Sequence, residues 1–251
     1  MKYNLAILVY SVKVKVAVIY KFRAFNKSSI ELIVNKEIWF AQASSLNDPF
    51  ECPFEQDLLF DGLSDFPELS EDRIQGIKQE TQDAFNRIGI CSFSRTQKNQ
   101  LMWAHYADEH HGFCLGFDEL SLKENSEDYI QSVKVEYQAH IPNSSVMSGF
   151  SVDPKTKEIV GQINTAAFID IIGTKYTSWS YEREQRLITA NFKAVKFCPQ
   201  ALKSVAFGLR MTERDKQTLK QLLSGAEWRH VKWYQAKKVP QRFSLEFGVS
   251  D

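Results

Sequence analysis

Between Trp179 and Ile188 the chain reads Trp-Ser-Tyr-Glu-Arg-Glu-Gln-Arg-Leu-Ile, so two carboxylates stand two residues apart where a strand is expected to begin. In extended backbone successive side chains point to opposite faces, which sends Glu182, Glu184 and Arg186 to one surface and Tyr181, Arg183 and Gln185 to the other. Carboxylates a few ångströms apart repel and take separated pKa values, so that one works as acid or base while its neighbour stays ionised. Arg186, on the same face, could pin a carboxylate or make a bidentate contact with phosphate. The same spacing also describes a solvated edge strand whose Arg183 and Arg186 simply neutralise the two glutamates.

Other chemistry-bearing residues are scattered. Trp103, His105 and Tyr106 bring flat rings and polar tips together, suited to stacking on a base or to core packing. Lys21 interrupts an apolar strand, where it either snorkels to solvent or meets an anion. Asn47-Asp48-Pro49-Phe50 is a turn held by side-chain to backbone bonds, with Asp48 a lesser candidate for ligand contact. His105, His110 and His111 are spaced to fall on different helix faces, and no metal is expected. The chain has no phosphate-cradling glycine loop, Gly-x-Ser-x-Gly elbow or His-Glu-x-x-His motif, so kinase, α/β-hydrolase and metalloprotease readings lack support.

The elements that must position these groups follow from periodicity and punctuation. Ser11 to Phe22 alternates valine with lysine and predicts a strand with one buried face. Ser28 or Ser29 caps a short helix through Val34, and Glu37 to Ala41 reads as a second strand. Ser70, followed by Glu71 and Asp72, starts a helix that Gly89 is placed to end. Ile90 to Ser94 is a strand, Asn99 to Tyr106 a helix and Gly112 to Phe117 a buried strand. Later strands are expected at Val133 to Tyr137, Glu184 to Asn191, Ser204 to Gly208, Trp228 to Tyr234 and Phe243 to Phe247. Helices are expected at Lys157 to Ile171 and from the Thr212 cap to Leu223. Asn143 to Thr156 is the best mobile loop. The irregular order lacks the steady alternation of a doubly wound sheet and predicts an α+β fold with mostly antiparallel pairing.

The 251 residues suffice for one substantial core, and 43% hydrophobic with 13% aromatic side chains exclude a disordered chain. Thirty-one basic residues balance thirty-one acidic ones, so no global field draws the protein to nucleic acid or an anionic membrane. Cys52, Cys91, Cys114 and Cys198 form no Cys-x-x-Cys pair, which argues for reduced thiols rather than a zinc ribbon. Leu5 to Tyr10 is too short to span a bilayer and is followed by lysines rather than a cleavage site, so a cytoplasmic location is expected.

Four patches resemble the bacterial family catalogued as domain of unknown function 2971: Tyr20-Lys21-Phe22; Ile38-Trp39-Phe40 leading to Asn47-Asp48-Pro49-Phe50; Met102 to Tyr106 with Gly112 to Phe117; and Trp179 to Arg186. The likeness runs over roughly residues 18 to 247, leaving residues 1–17 as an N-terminal extension before a single domain, 18–251. A more distant resemblance is to the ADP-ribosyltransferase fold, with an early strand that grips NAD, a middle aromatic platform and a late Glu-x-Glu strand. It implies that Tyr20 and Lys21 hold NAD, that Trp103, His105 and Tyr106 receive nicotinamide, and that Arg186 meets the phosphates. Glu184 would face the developing oxocarbenium ion, and Glu182 would orient or deprotonate the acceptor. NAD would be consumed as substrate and ADP-ribose passed to a nucleic acid or protein, in a toxin-like effector of phage defence or a toxin–antitoxin pair with a neutralising partner. Two other readings stay open: a nuclease using Glu182, Glu184, Asp48 and His105 with a divalent ion, and a non-catalytic binding module.

Overall fold

The computed structural model describes residues 17–54, 59–60, 70–124, 126, 130–143, 145, 150–153, 155–156, 159–161 and 164–250. The proposed extension at 1–16, with the first half of the Val-Lys strand, therefore lies outside the described residues, as do parts of the 143–156 loop and of the segment from Lys157.

In chain order the elements are β1 (Val18–Arg23), α1 (Lys27–Asn35), β2 (Glu37–Gln42), α2 (Glu71–Arg87), β3 (Gly89–Ser94), α3 (Gln100–Tyr106), β4 (Phe113–Asp118), α4 (Glu119–Glu124), β5 (Gln131–Lys134), β6 (Glu136–Gln138), β7 (Phe150–Val152) and β8 (Ile159–Gly161). They continue as α5 (Thr165–Ile172), β9 (Thr174–Tyr176), β10 (Glu184–Thr189), β11 (Lys193–Lys196), β12 (Leu202–Phe207), α6 (Glu213–Leu222), β13 (Lys232–Lys238) and β14 (Leu245–Val249). Ten strands form one sheet along the path β11-β2-β3-β1-β4-β12-β13-β14, with β10 joined to β3 and β5 to β10. Among the described residues only β12–β13 and β6–β9 pair in parallel. The fold is α+β and largely antiparallel, as the sequence predicts. No helix among the described residues is long and apolar enough to cross a membrane.

Local chemistry explains most boundaries. Ser70 Oγ accepts from Arg73 N–H and Thr212 Oγ1 from Asp215 N–H, capping α2 and α6 as expected. The cap of α1 is Asn26 rather than Ser28 or Ser29: its Oδ1 accepts from Ser29 N–H and from both serine hydroxyls. The helix expected from Lys157 begins only at Thr165, behind an Asn164 cap, because residues 159–161 pair as a strand instead. Val133 to Tyr137 is two strands separated at Val135. Gly89 does not end α2; it opens β3, packed so tightly against the turn after β10 that a Cβ would stand 2.5 Å from Thr189 Oγ1, 2.8 Å from Asn191 O and 2.9 Å from Phe192 Cα. Gly89→Ala is expected to destabilise the fold by about 1–3 kcal/mol through overpacking, seen as a lower urea midpoint with an unchanged slope.

Alternation along the strands divides the apolar residues between the two faces of the sheet. One face carries Ile19, Phe93, Leu115, Phe117 and Leu187, covered by α1 and α6. The opposite face carries two separate clusters: Ile90 and Ile188 under α2 and α5, and Phe22, Cys114 and Ala206 under Trp103 of α3. Between those two clusters the face is polar. The backbone also opens there, because β1 pairs with β3 only at Tyr20–Ser94 and β2 only at Ala41–Ile90 and Gln42–Gly89. The stretch Cys91 to Phe93 thus has β10 on one edge and a gap on the other.

Candidate functional site

Glu184 and Arg186 project from the polar face of β10 as the period-two reading requires, but Glu182 precedes the strand. It ends a 3-10 turn, Thr177–Glu182, and Arg183 follows in the left-handed conformation at φ 49° and ψ 50°. That left-handed residue, which has no glycine or asparagine to announce it, reverses the chain so that both glutamates enter one site. Its carbonyl accepts from Arg95 N–H at 2.9 Å and Nε–H at 3.2 Å, and its own side chain is exposed. Gln185 points to the other face, where its Nε2 donates to Ser132 Oγ.

Three carboxylates and two cations interlock here, nearly removed from solvent. Lys175 Nζ lies 2.8 Å from Glu51, 2.5 Å from Glu182 and 3.4 Å from Glu184. Arg186 grips Glu184 with Nε at 2.9 Å and Nη2 at 3.1 Å, and meets Glu51 at 2.5 Å. Its Nη1 donates to the Ile172 carbonyl at 2.6 Å. Tyr106 donates to Glu182 Oε1 at 2.5 Å, and Glu184 N–H donates to Tyr137 Oη at 2.7 Å. With every member charged the cluster carries one excess negative charge, which the environment apportions unequally.

Burial pushes the Glu184 carboxyl up, but the bidentate Arg186 guanidinium, Lys175 and Ser92 outweigh it and hold the group down at about 2. Glu182 goes the other way: burial raises it above the ordinary carboxylate range, against the pull of Lys175 and Tyr106. Burial also lifts the Tyr106 and Tyr137 hydroxyls, the latter to about 12, so both stay protonated donors or acceptors near neutrality. Burial would lower Lys175, yet Glu184, Glu51 and Glu182 together raise it, and it remains an ammonium. The pair therefore combines a fixed anion with a carboxylate able to exchange a proton.

Both glutamates, each 3% exposed, lie on the wall of a cavity of about 710 Å³ that occupies the opening between β1, β2 and β3. Its size suits a small organic ligand. Tyr20, Lys21, His105 and Tyr106 line the same cavity, so distant sequence patches meet as expected. Lys21 and Arg23 alternate away from Tyr20 and reach the cavity through the gap. Lys21 Nζ donates to the Ser92 carbonyl at 2.8 Å beside the Phe93 ring, and no carboxylate among the described residues is within 4.0 Å of it. His105 is exposed, tilted against Tyr181 at 6.0 Å.

Two expected ligand contacts have other occupations. Trp103 is wholly buried, edge-on to Phe22 at 5.2 Å and stacked on Phe247 and His110, with Nε1–H given to the Gln97 carbonyl. It supports the wall rather than offering a face. Arg186, at 0% exposure, has its donors committed to Glu184, Glu51 and Ile172 and cannot reach phosphates; it is the partner of Glu184. Asp48 holds its turn by accepting from Phe50 N–H and also accepts from Trp179 Nε1 at 2.7 Å, joining the loop to the site. A metal-dependent reading built on Asp48, Glu182 and Glu184 would need carboxylate oxygens that here already serve Trp179, Lys175, Tyr106 and Arg186.

Glu51, Lys175 and Tyr137 were missed by sequence reasoning. Glu51 directly follows the Asn-Asp-Pro-Phe turn and Lys175 precedes Trp179, whose ring lies 5.0 Å from Nζ. Neither lies in a periodic pattern with its partners. No curated protein and no solved structure compared with the chain matches it. Residues 102–187 match a family model described as Protein of unknown function (DUF2971), so the span from Met102 to Leu187, which holds Tyr106, Lys175, Glu182, Glu184 and Arg186 but neither Lys21 nor Glu51, is similar to that family.

Proposed function

We propose that the protein is an NAD-consuming ADP-ribosyltransferase that passes ADP-ribose to a nucleic acid or protein acceptor, acting as a toxin-like effector. The observation that carries this reading is the unequal pair on the cavity wall, Glu184 held ionised and Glu182 raised. In the reaction the bond from ribose C1′ to the nicotinamide nitrogen breaks, its electron pair leaves with nicotinamide, and positive charge develops on the ribose. The fixed Glu184 carboxylate opposes that charge. Glu182 accepts the proton of the acceptor hydroxyl, amine or water as its lone pair closes on C1′. Lys21, from β1, offers a cation to the pyrophosphate, and the exposed His105 ring with Tyr106 borders the nicotinamide end.

Incubation of the full chain with NAD, followed by chromatography, is expected to show time-dependent free nicotinamide, unaffected by a metal chelator. Intact NAD after prolonged incubation, with and without cell extract as a source of acceptor, refutes the reading. Chelator-sensitive degradation of nucleic acid, indifferent to NAD, would establish the nuclease instead.

A further inference from the structure

The chain has five tryptophans, and four are engaged. Trp103 packs on Phe22, Trp179 on Tyr181 and under Lys175, Trp228 on Phe197 and Lys36, and Trp233 on Phe207. Trp39 differs: among the described residues no ring or cation pairs with it, and it is 59% exposed. It is also no random surface aromatic, because it lines the cavity that holds Glu182 and Glu184.

The strand explains why the indole is bare. Ile38 and Phe40 turn into the core on one face of β2, which sends Glu37, Trp39 and Ala41 to the other. The residue across from Trp39 on β11 is Ala194, and the next on its own strand and face is Ala41. Two methyl groups flank a ring that larger neighbours would cover. Because Ala41 pairs with Ile90 and Ser94 with Glu184, Trp39 lies two strands and about two residues from Glu184, a separation on the order of 12 Å. Lys21 and Arg23 line the same cavity. Arg23 gives Nε–H to Ser29 Oγ and an Nη2 hydrogen to Ser28 Oγ, with no carboxylate among the described residues as its ion-pair partner.

We infer that Trp39 is the stacking platform for the purine base of a nucleotide whose phosphates lie beside Lys21 and Arg23. This rests on the reading of the cavity as an NAD site, but it concerns binding alone and is tested without turnover. A large flat indole with a free face stacks with any base, and the two cations lining the same cavity select a phosphorylated one.

Titration calorimetry of the full chain with AMP and with ribose 5-phosphate, on wild type, Trp39→Ala and Trp39→Phe, decides it. AMP is expected to bind more tightly than ribose 5-phosphate. Trp39→Ala should weaken AMP about tenfold or more, Trp39→Phe should restore most of that loss, and ribose 5-phosphate should bind all three alike. Equal AMP affinity in wild type and Trp39→Ala, or AMP no tighter than ribose 5-phosphate in the wild type, overturns the inference. Nicotinamide release is scored separately: release with no Trp39 effect sinks the platform alone, whereas Trp39-dependent AMP binding without release keeps the platform and sinks the transferase.

Discussion

Glu182→Gln is expected to reduce nicotinamide release and transfer by about 10²- to 10⁴-fold, the range for loss of a general base, with the fold intact. Glutamine has the same shape, and its carbonyl can still accept from Lys175 or Tyr106, so the substitution removes the proton acceptor and little else. The pH profile is the more searching measurement. Glu182 is raised above the ordinary carboxylate range, so the wild-type rate should climb with pH as this group ionises and then level, the inflection lying above 4.5. The variant should be slow and flat over the same window. An unchanged rate in Glu182→Gln removes the base from the scheme, and an unchanged profile with a lower rate assigns Glu182 to binding.

Arg186→Met should have the largest effect on stability, about 3–5 kcal/mol, because deleting one partner of a buried ion cluster strands the others. Glu184, Glu51 and Glu182 would then share Lys175 as their one cation. The sign of the pH dependence separates this cause from simple loss of packing. In the wild type Glu184 titrates near 2 when folded against about 4.5 when unfolded, so its contribution is present above 4.5 and fades as pH falls toward 2. Without the guanidinium, burial dominates and Glu184 in the folded state should titrate above its unfolded value, so acidification from neutral pH helps rather than harms the variant. Urea unfolding at pH 7 and pH 5 should therefore show the variant's deficit shrinking at the lower pH. A deficit that is the same at both values attributes the loss to cavity formation around the lost side chain.

The sequence disclosed the parts of this site that obey a local rule. Glu184 and Arg186 share a face because period two holds from residue 184 onward, and the caps at Ser70 and Thr212 follow from side-chain oxygens matched to free N–H groups. Glu182 joined them for a reason the pattern does not contain, the left-handed Arg183, which no local residue signature requires. The second carboxylate on Arg186 lies far off in the chain: the pairing with Glu51 spans 135 positions, and no spacing rule links them. Burial was equally hidden. Trp103 and Trp39 are both aromatic residues in recognisable patches, yet the first is enclosed by Phe22, His110 and Phe247 while the second stands bare beside alanines. The role of each depends on which strands lie alongside, and strand order is a long-range property.

The interrupted edge of β3 has a consequence for how this protein is to be dissected. In a strand the N–H and C=O of one residue point to the same side, and the Ser92 carbonyl is the one that Lys21 reaches across the gap. Its amide therefore faces the void as well, offering a bound molecule a peptide donor belonging to no side chain. Alanine scanning is blind to such a group. Recognition through it would survive every substitution at Ser92 except proline, and would surface instead as an amide resonance that shifts on titration.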